Sequence, residues 1–267
     1  MAKMTLDILK QKLALKKLAE TGVGLVSETT YKQIAEILRP TQRCAHWSEI
    51  GNYTDNDLAN LHAEAEVYLQ TTPAWKDKLS VLAEKYGCDK TPSIFHSYTP
   101  FYDELLRNRD VKRVLEIGIG TVSTMCHLTD YKPGASLRMW AEYFPKAYIY
   151  GLDIDHAVLI NEIGGRIHSL VCDQSAEKSL LLTAELLGGN FDLILDDGSH
   201  IVEHQALTAN TFIPKLLAPN GVYIIEDIFE RSRLYSLLPK WPVEVKLFDL
   251  RRTPDDCVFW IEGSNIY

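Results

Sequence analysis

The sequence predicts an α/β fold. The expected architecture is a doubly wound, Rossmann-like, mostly parallel sheet with an antiparallel C-terminal strand pair, preceded by an N-terminal helical segment. Three observations carry this. From Val111 onward, short, β-branched, continuously apolar runs alternate with helix-like stretches, as strands buried on both faces do. Several of these runs end in glycines or acids, where a parallel sheet presents its ligand-binding rim. The last two runs are joined only by residues 251–256, too few for a helical crossover, so those strands should be antiparallel.

Along the chain, residues 4–20 and 29–38 have helical apolar spacing, and Arg39-Pro40 ends the second stretch. Residues 40–54 read as loop, and Asp55 is placed to cap a helix through about Gln70. Thr72-Pro73 forms an N-cap and first-turn pair for a helix that Gly87 closes. A further helix runs from Thr99-Pro100 to Arg107. Val114 to Gly118 is the first strand of the alternating region. Ser136 can cap a helix with Leu137, Trp140, Ala141 and Phe144 on one face. The next strands are Ala147–Asp153, Ile167–Val171 and Phe191–Leu195. A helix from His200 to Leu217 and a Pro219-Asn220-Gly221 turn lead into a fifth strand, Val222–Ile225. The antiparallel pair is Val243–Leu250 and Cys257–Ile261. The chain thus divides into a helical segment, 1–75, and an α/β domain, 76–267.

Composition excludes several functions. The 267 residues are 46% apolar and 24% charged, ordinary for a soluble globular chain. Lys and Arg number 28 against 36 Asp and Glu, a net charge of −8, so nucleic acid is not an expected partner. The Lys10–Lys17 stretch, interleaved with leucines, reads as a solvated helix face. No apolar run approaches the about 18 residues of a membrane span. The N-terminus is charged throughout and lacks the apolar region of a secretory signal. Five scattered cysteines without CxxC spacing argue against a disulfide framework or zinc knuckle and point to a reducing cytoplasm.

The informative residues follow the strands. Glu116-Ile-Gly118-Ile-Gly120 ends the first strand, and paired glycines there allow close backbone approach. A dinucleotide fingerprint would need glycine at 123, where Ser123 stands, and a helix starting at once rather than at Ser136. Asp153 ends the second strand, where a carboxylate accepts hydrogen bonds from a ribose diol or, more simply, caps a helix or is a solvated loop acid. Asp196-Asp197-Gly-Ser-His200 and Glu226-Asp227 follow the fourth and fifth strands. Two acid pairs converging on one rim repel each other unless a hard divalent cation such as Mg²⁺ joins them, or unless one acid of each pair caps a helix. His200, three residues beyond Asp197, is a candidate general base or an ordinary structural histidine. His200-Ile-Val-Glu203-His204 also spells a zinc-hydrolase pattern, a competing reading of the same residues.

With these residues in view, the chain from about 80 to 262 resembles the class I S-adenosylmethionine-dependent methyltransferases. It is most similar to the metal-dependent sugar O-methyltransferases of macrolide tailoring. The matching stretches are Tyr86-Gly-Cys-Asp-Lys90, Val114 to Gly120, Ser136-Leu-Arg-Met-Trp140 with Tyr143-Phe144-Pro145, Gly151-Leu-Asp-Ile154, Asp173-Gln174-Ser175, Asp196 to His200 and Ile225-Glu-Asp-Ile228. The resemblance implies that Glu116, Gly118 and Gly120 line the methionine part of the cofactor and that Asp153 holds its ribose. It implies that Asp173 and Gln174 lie near the adenine and Asp196 near the methionine end. Asp197, Glu226 and Asp227 would ligate Mg²⁺, and His200 would be the base. The family often has a third glycine where Val122 stands, within a loop that is long in this subgroup. In related enzymes extra N-terminal segments form oligomers or cover the substrate. The expected partner is a small-molecule or glycan substrate whose sugar hydroxyl is methylated. A catechol or phenol O-methyltransferase, a nicotinamide-dependent oxidoreductase and a non-catalytic module are the alternatives. Tyr98, Phe101, Tyr102 and Phe229 are candidates either for stacking on a sugar or for the core.

Overall fold

The computed structural model describes residues 44–45, 77–126, 128, 130–161, 164–238, 245–249 and 257–263. The helices expected at 4–20, 29–38 and 55–70 lie outside the described residues. Strands and helices in chain order are β1 (Cys44–Ala45), α1 (Lys78–Tyr86), α2 (Tyr98–Leu106), β2 (Arg113–Ile117), α3 (Ala135–Tyr143), β3 (Tyr148–Asp153), β4 (Ile167–Val171), α4 (Glu177–Leu187), β5 (Phe191–Asp196), α5 (Val202–Leu216), β6 (Leu217–Ile225), α6 (Arg231–Leu237), β7 (Val245–Asp249) and β8 (Cys257–Glu262).

Among the described residues the sheet has eight strands, in the order β1-β7-β8-β6-β5-β2-β3-β4. β4, β3, β2, β5 and β6 are mutually parallel. β8 pairs antiparallel with both β6 and β7, as the short connection requires. Cys44 and Ala45 pair with Phe248 and Leu247 at the β7 edge, so the stretch expected as loop contributes a two-residue strand. Chain order reverses between β2 and β5, because β3 and β4 lie on one side of β2 and β5 on the other. A crevice opens at such a switch point.

Both faces of the sheet are covered, which is why its strands are continuously apolar. Val114, Leu193, Leu195, Val222 and Ile224 pack with α1, α2 and α3 through Leu79, Tyr102 and Trp140. Leu115, Ile117, Ile194, Tyr223 and Ile225 pack on the other face with α4, α5 and α6 through Leu180, Phe212 and Leu234. Each fully buried side chain of this size contributes about 1.5–3 kcal/mol.

Some boundaries differ from expectation. α1 begins after Asp77, whose side chain accepts from Ser80 N at 2.8 Å; Thr72-Pro73 lies outside the described residues. Gly87 does close it, in a left-handed conformation with φ 68°. Ser136 does not cap α3; left-handed Gly134 precedes the helix and Ser136 lies inside its first turn. The β3–β4 connection carries a 3₁₀ turn, His156–Val158, rather than a full helix, among the described residues. The Pro219-Asn220-Gly221 turn is absorbed into β6 as a register shift against β5.

Candidate active site

A cleft of about 740 Å³ opens at the carboxyl ends of β2, β3, β4 and β5. Its walls are the Gly118–Thr121 loop, Asp153–Asp155, Cys172–Ser175, Asp197–His200, and Asp227 with Phe229. The Cys88–Lys90 segment and the Phe95-His96 pair close one side.

The two loop glycines serve the protein's own packing. Gly118 has φ 95°, and a Cβ there would collide with the Asp197 carbonyl oxygen. The loops after β2 and β5 therefore touch backbone to backbone, with Asp197 N bonded to Ile117 O at 2.9 Å, while Gly118 N bonds Leu152 O of β3 at 2.8 Å. A Cβ at Gly120 would meet the Tyr131 hydroxyl and Met125. Asp153 fixes the same loop: Oδ2 accepts from Ile119 N at 2.9 Å and Gly120 N at 3.2 Å, and Oδ1 from Asp155 N at 2.9 Å. The carboxylate nonetheless lines the cleft.

Side-chain alternation explains where the acids go. Glu116 shares the Val114 face of β2 and is fully buried, behind the cleft wall rather than in it. Asp196 shares the Ile194 face, where Gln174 Nε2 donates to Oδ1 at 2.6 Å and the Tyr223 hydroxyl to Oδ2 at 3.3 Å. It too is fully buried and off the cleft. Burial pushes its carboxyl up to about 7. Gln174 lines the cleft, but its amide is committed, because Oε1 also accepts from Ser199 N at 3.0 Å. Asp173 lines the cleft with Oδ1 held by Ser175 N at 2.9 Å and Oγ at 2.6 Å, and these bonds hold its pKa below the usual value. Of the residues expected around a cofactor, Gly118, Gly120, Asp153, Asp173 and Gln174 line the cleft, whereas Glu116 and Asp196 stand behind it.

The residues expected to ligate a metal separate in the same way. One ligand atom from each of Asp197, His200 and Asp227 lies within 4.8 Å of the others. His200 Nε2 is 3.7 Å from Asp227 Oδ2 and 4.0 Å from Asp197 Oδ1. Its Nδ1 is enclosed without a hydrogen-bond partner among the described residues. His200 and Asp227 both have positive φ, 57° and 52°, a backbone conformation that is uncommon outside glycine. Glu226 is fully buried on the far side of the group and is held by Lys90 Nζ and by the Tyr102 hydroxyl, the latter at 2.8 Å.

Sequence reasoning gave Lys90 and His96 no role here, and offered Tyr98 only for sugar stacking or the core. Lys90 is fully buried and ion-pairs with Asp197 Oδ2 at 2.5 Å, with Glu226, and with Glu116 at 3.6 Å. Burial opposes its charge, yet Asp197, Glu226 and Glu116 together hold its pKa well above the ordinary lysine value. Burial pushes Glu116 up to about 7 against the pull of Lys90. The Tyr98 hydroxyl donates to Asp227. His96 stacks on Tyr98 and brings Nε2 to 3.7 Å from Asp227 Oδ2, so a histidine stands on each side of this carboxylate. The signals for these residues are the matching stretch that ends at Lys90 and the His96-x-Tyr98 spacing at the start of α2. Tyr98, Phe101 and Tyr102 are core, whereas Phe229 is 39% exposed at the cleft.

The zinc-hydrolase pattern does not assemble. His204 Nδ1 bonds Ser199 Oγ at 2.9 Å, and Glu203 pairs with Arg233. His200, which precedes α5 rather than starting it, faces the two aspartates.

No protein-family model matches the chain. Demethylmacrocin O-methyltransferase of Streptomyces fradiae is 38% identical over 175 residues, 64% of this chain and 41% of the relative. Mycinamicin VI 2''-O-methyltransferase of Micromonospora griseorubida is 36% identical over 188 residues, 68% of this chain and 42% of the relative. The chain is homologous to these O-methyltransferases. It spans about two-fifths of the length of the curated relatives it matches. A solved structure of the MycE methyltransferase of mycinamycin biosynthesis, in complex with Mg and SAH, aligns with TM-score 0.54 and 28% identity. That alignment covers 78% of this chain and 58% of MycE. The parallel sheet with its antiparallel C-terminal pair is therefore a class I methyltransferase fold. Among the described residues no helix is long and apolar enough to cross a membrane.

Proposed function

We propose that this chain is an S-adenosylmethionine- and Mg²⁺-dependent O-methyltransferase acting on a sugar hydroxyl of a glycoside or glycan. The observation that carries this is the joint presence, in one switch-point cleft, of a ligand-lining carboxylate at β3 and the Asp197–His200–Asp227 group at its other end. The named relatives support the acceptor class: each is an O-methyltransferase, and their names include a rhamnosyl and an olivosyl acceptor.

The residues fit the two groups. Gly118, Gly120, Asp153, Asp173 and Gln174 would hold the cofactor, with Glu116 and Asp196 supporting its wall from behind. Asp197 and Asp227 offer hard oxygen donors, which suit Mg²⁺ better than zinc. Glu226 would join them only on release from Lys90. When bound, adenosylmethionine supplies an electrophilic methyl group and Mg²⁺ supplies positive charge beside the acceptor hydroxyls.

The chain's own residues do the rest. His200 accepts the acceptor hydroxyl's proton at Nε2, the nitrogen that faces both aspartates. The rigid sheet rim holds donor and acceptor sites at a fixed separation, and such positioning supplies much of the rate in a bimolecular transfer. Phe229 offers an apolar face at the mouth for a sugar ring.

We further propose that residues 1–75 form an oligomerisation or substrate-covering segment and that the enzyme works in the cytoplasm, apart from nucleic acid. The decisive experiment is calorimetry with adenosylhomocysteine and with NADH, followed by Mg²⁺-dependent methyl transfer to a rhamnoside and to a catechol. Adenosylhomocysteine binding and rhamnoside methylation are expected. NADH binding alone would end the methyltransferase reading, and catechol turnover alone would move the acceptor to phenols.

A further inference from the structure

Lys90 belongs to none of the cofactor or metal assignments above, yet it is almost completely enclosed, 1% exposed. It sits just beyond the left-handed Gly87 turn that ends α1, and its carbonyl accepts from Tyr98 N at 3.1 Å and Thr99 N at 3.0 Å at the start of α2. The backbone is therefore fixed from both sides. An ammonium carries three donors and no acceptor, and this one faces three carboxylates: Asp197, Glu226 and Glu116. An unpaired buried ammonium would be costly, and so would the buried Glu116 and Glu226 carboxylates, with Asp197 beside them, if it were absent.

We propose that Lys90 is a positioning residue: a built-in counter-ion that occupies the Asp197 Oδ2 and Glu226 Oε2 oxygens in competition with a divalent cation. This rests on the reading of Asp197 and Asp227 as a cation site. The division of the Asp197 carboxylate is the key geometry. Oδ2 goes to Lys90 at 2.5 Å, while Oδ1 faces His200 at 4.0 Å. Lys90 thus keeps the acids assembled in the metal-free protein and withholds Glu226 from the cleft. It also opposes cation entry, because two positive charges a few ångströms apart inside a protein repel strongly. Full coordination by Glu226 requires the ammonium to give up that carboxylate.

The test compares Mg²⁺ and Mn²⁺ binding to wild type and to Lys90→Met by calorimetry, with a thermal melt of each metal-free protein. Wild type is expected to bind the ion, and Lys90→Met to bind it about tenfold or more tightly. The metal-free variant should melt lower and recover more on adding Mg²⁺ than wild type does. Equal or weaker ion binding by the variant, with wild type binding normally, overturns the counter-ion role alone. No ion binding by either protein removes the cation site itself, and the competition with it. If Lys90→Met does not fold, the ¹⁵N signal of the Lys90 ammonium in wild type decides. Protection from solvent exchange in the metal-free protein, lost on saturation with Mg²⁺, supports the proposal. An ammonium signal that Mg²⁺ leaves unchanged overturns it.

Discussion

The acid pairs at the ends of β5 and β6 look alike in sequence and behave differently in the fold. At β5 the first acid, Asp196, turns to the α4–α6 face and is sealed by Gln174 and Tyr223, while Asp197 turns to the opposite face and reaches both Lys90 and the cleft. At β6 the first acid, Glu226, takes the Lys90 face, and Asp227 reaches the cleft through a positive φ of 52°. Neighbouring side chains in an extended strand point to opposite faces. Two adjacent acids therefore cannot both face one site without a backbone departure, and the departure at Asp227 is what brings the second acid to the rim. In each pair it is the second acid that faces the cleft.

The sharpest way to break this comparison is to neutralise the rim members. Asp227→Asn removes a proposed Mg²⁺ ligand and should lower kcat about 10²-fold or more. His200→Ala should do the same, with adenosylhomocysteine affinity nearly unchanged in both. Steady-state kinetics beside calorimetry gives the answer, and full turnover in either variant would take that residue out of the chemistry. Glu226→Gln should cost less activity than Asp227→Asn, because the glutamate is withheld by Lys90; equal losses would put Glu226 among the working ligands.

A smaller effect is expected behind Asp227. His96→Ala should lower kcat by about tenfold or less, acting through the Asp227 carboxylate that Tyr98 and His96 flank. Restored activity in Tyr98→Phe/His96→Ala would deny this positioning role.

His204→Ala should change kcat by less than the His96 variant. His204 lines the cleft, but its Nδ1 is spent on Ser199. A dead His204 variant with co-purified zinc would revive the hydrolase pattern.

The last effect is on stability rather than rate. Burial holds the Glu116 carboxyl near 7, above its unfolded value of about 4.5. Between those two values the folded protein binds more protons than the unfolded chain, so this group makes stability fall as pH rises from about 4.5 to about 7, and adds no slope above that. Glu116→Gln should flatten that part of the curve in urea melts taken across the range. An unchanged slope would show that Lys90 keeps Glu116 ionised throughout.

Much of this was legible from the chain alone. The five parallel strands, the antiparallel tail and the rim positions of Gly118, Asp153, Asp197, His200 and Asp227 follow from apolar runs and the residues that end them. Local chemistry is enough for that, because a strand buried on both faces must be apolar and a strand must end where polar residues begin. The alternation of side chains along a strand is likewise enough to set Asp196 and Asp197 on opposite faces. The partners could not be read in this way. Lys90 lies 107 residues from Asp197 and 136 from Glu226 in sequence, and no spacing rule joins them. Nor does the sequence show that the Gly118 hydrogen faces the Asp197 carbonyl rather than a ligand. The sequence by itself determined which residues could stand at the rim, since that depends on strand pattern. Which carboxylates are open and which are already neutralised depends on a lysine brought in by α1 and α2 packing, and burial of charge is a property of the assembled layers.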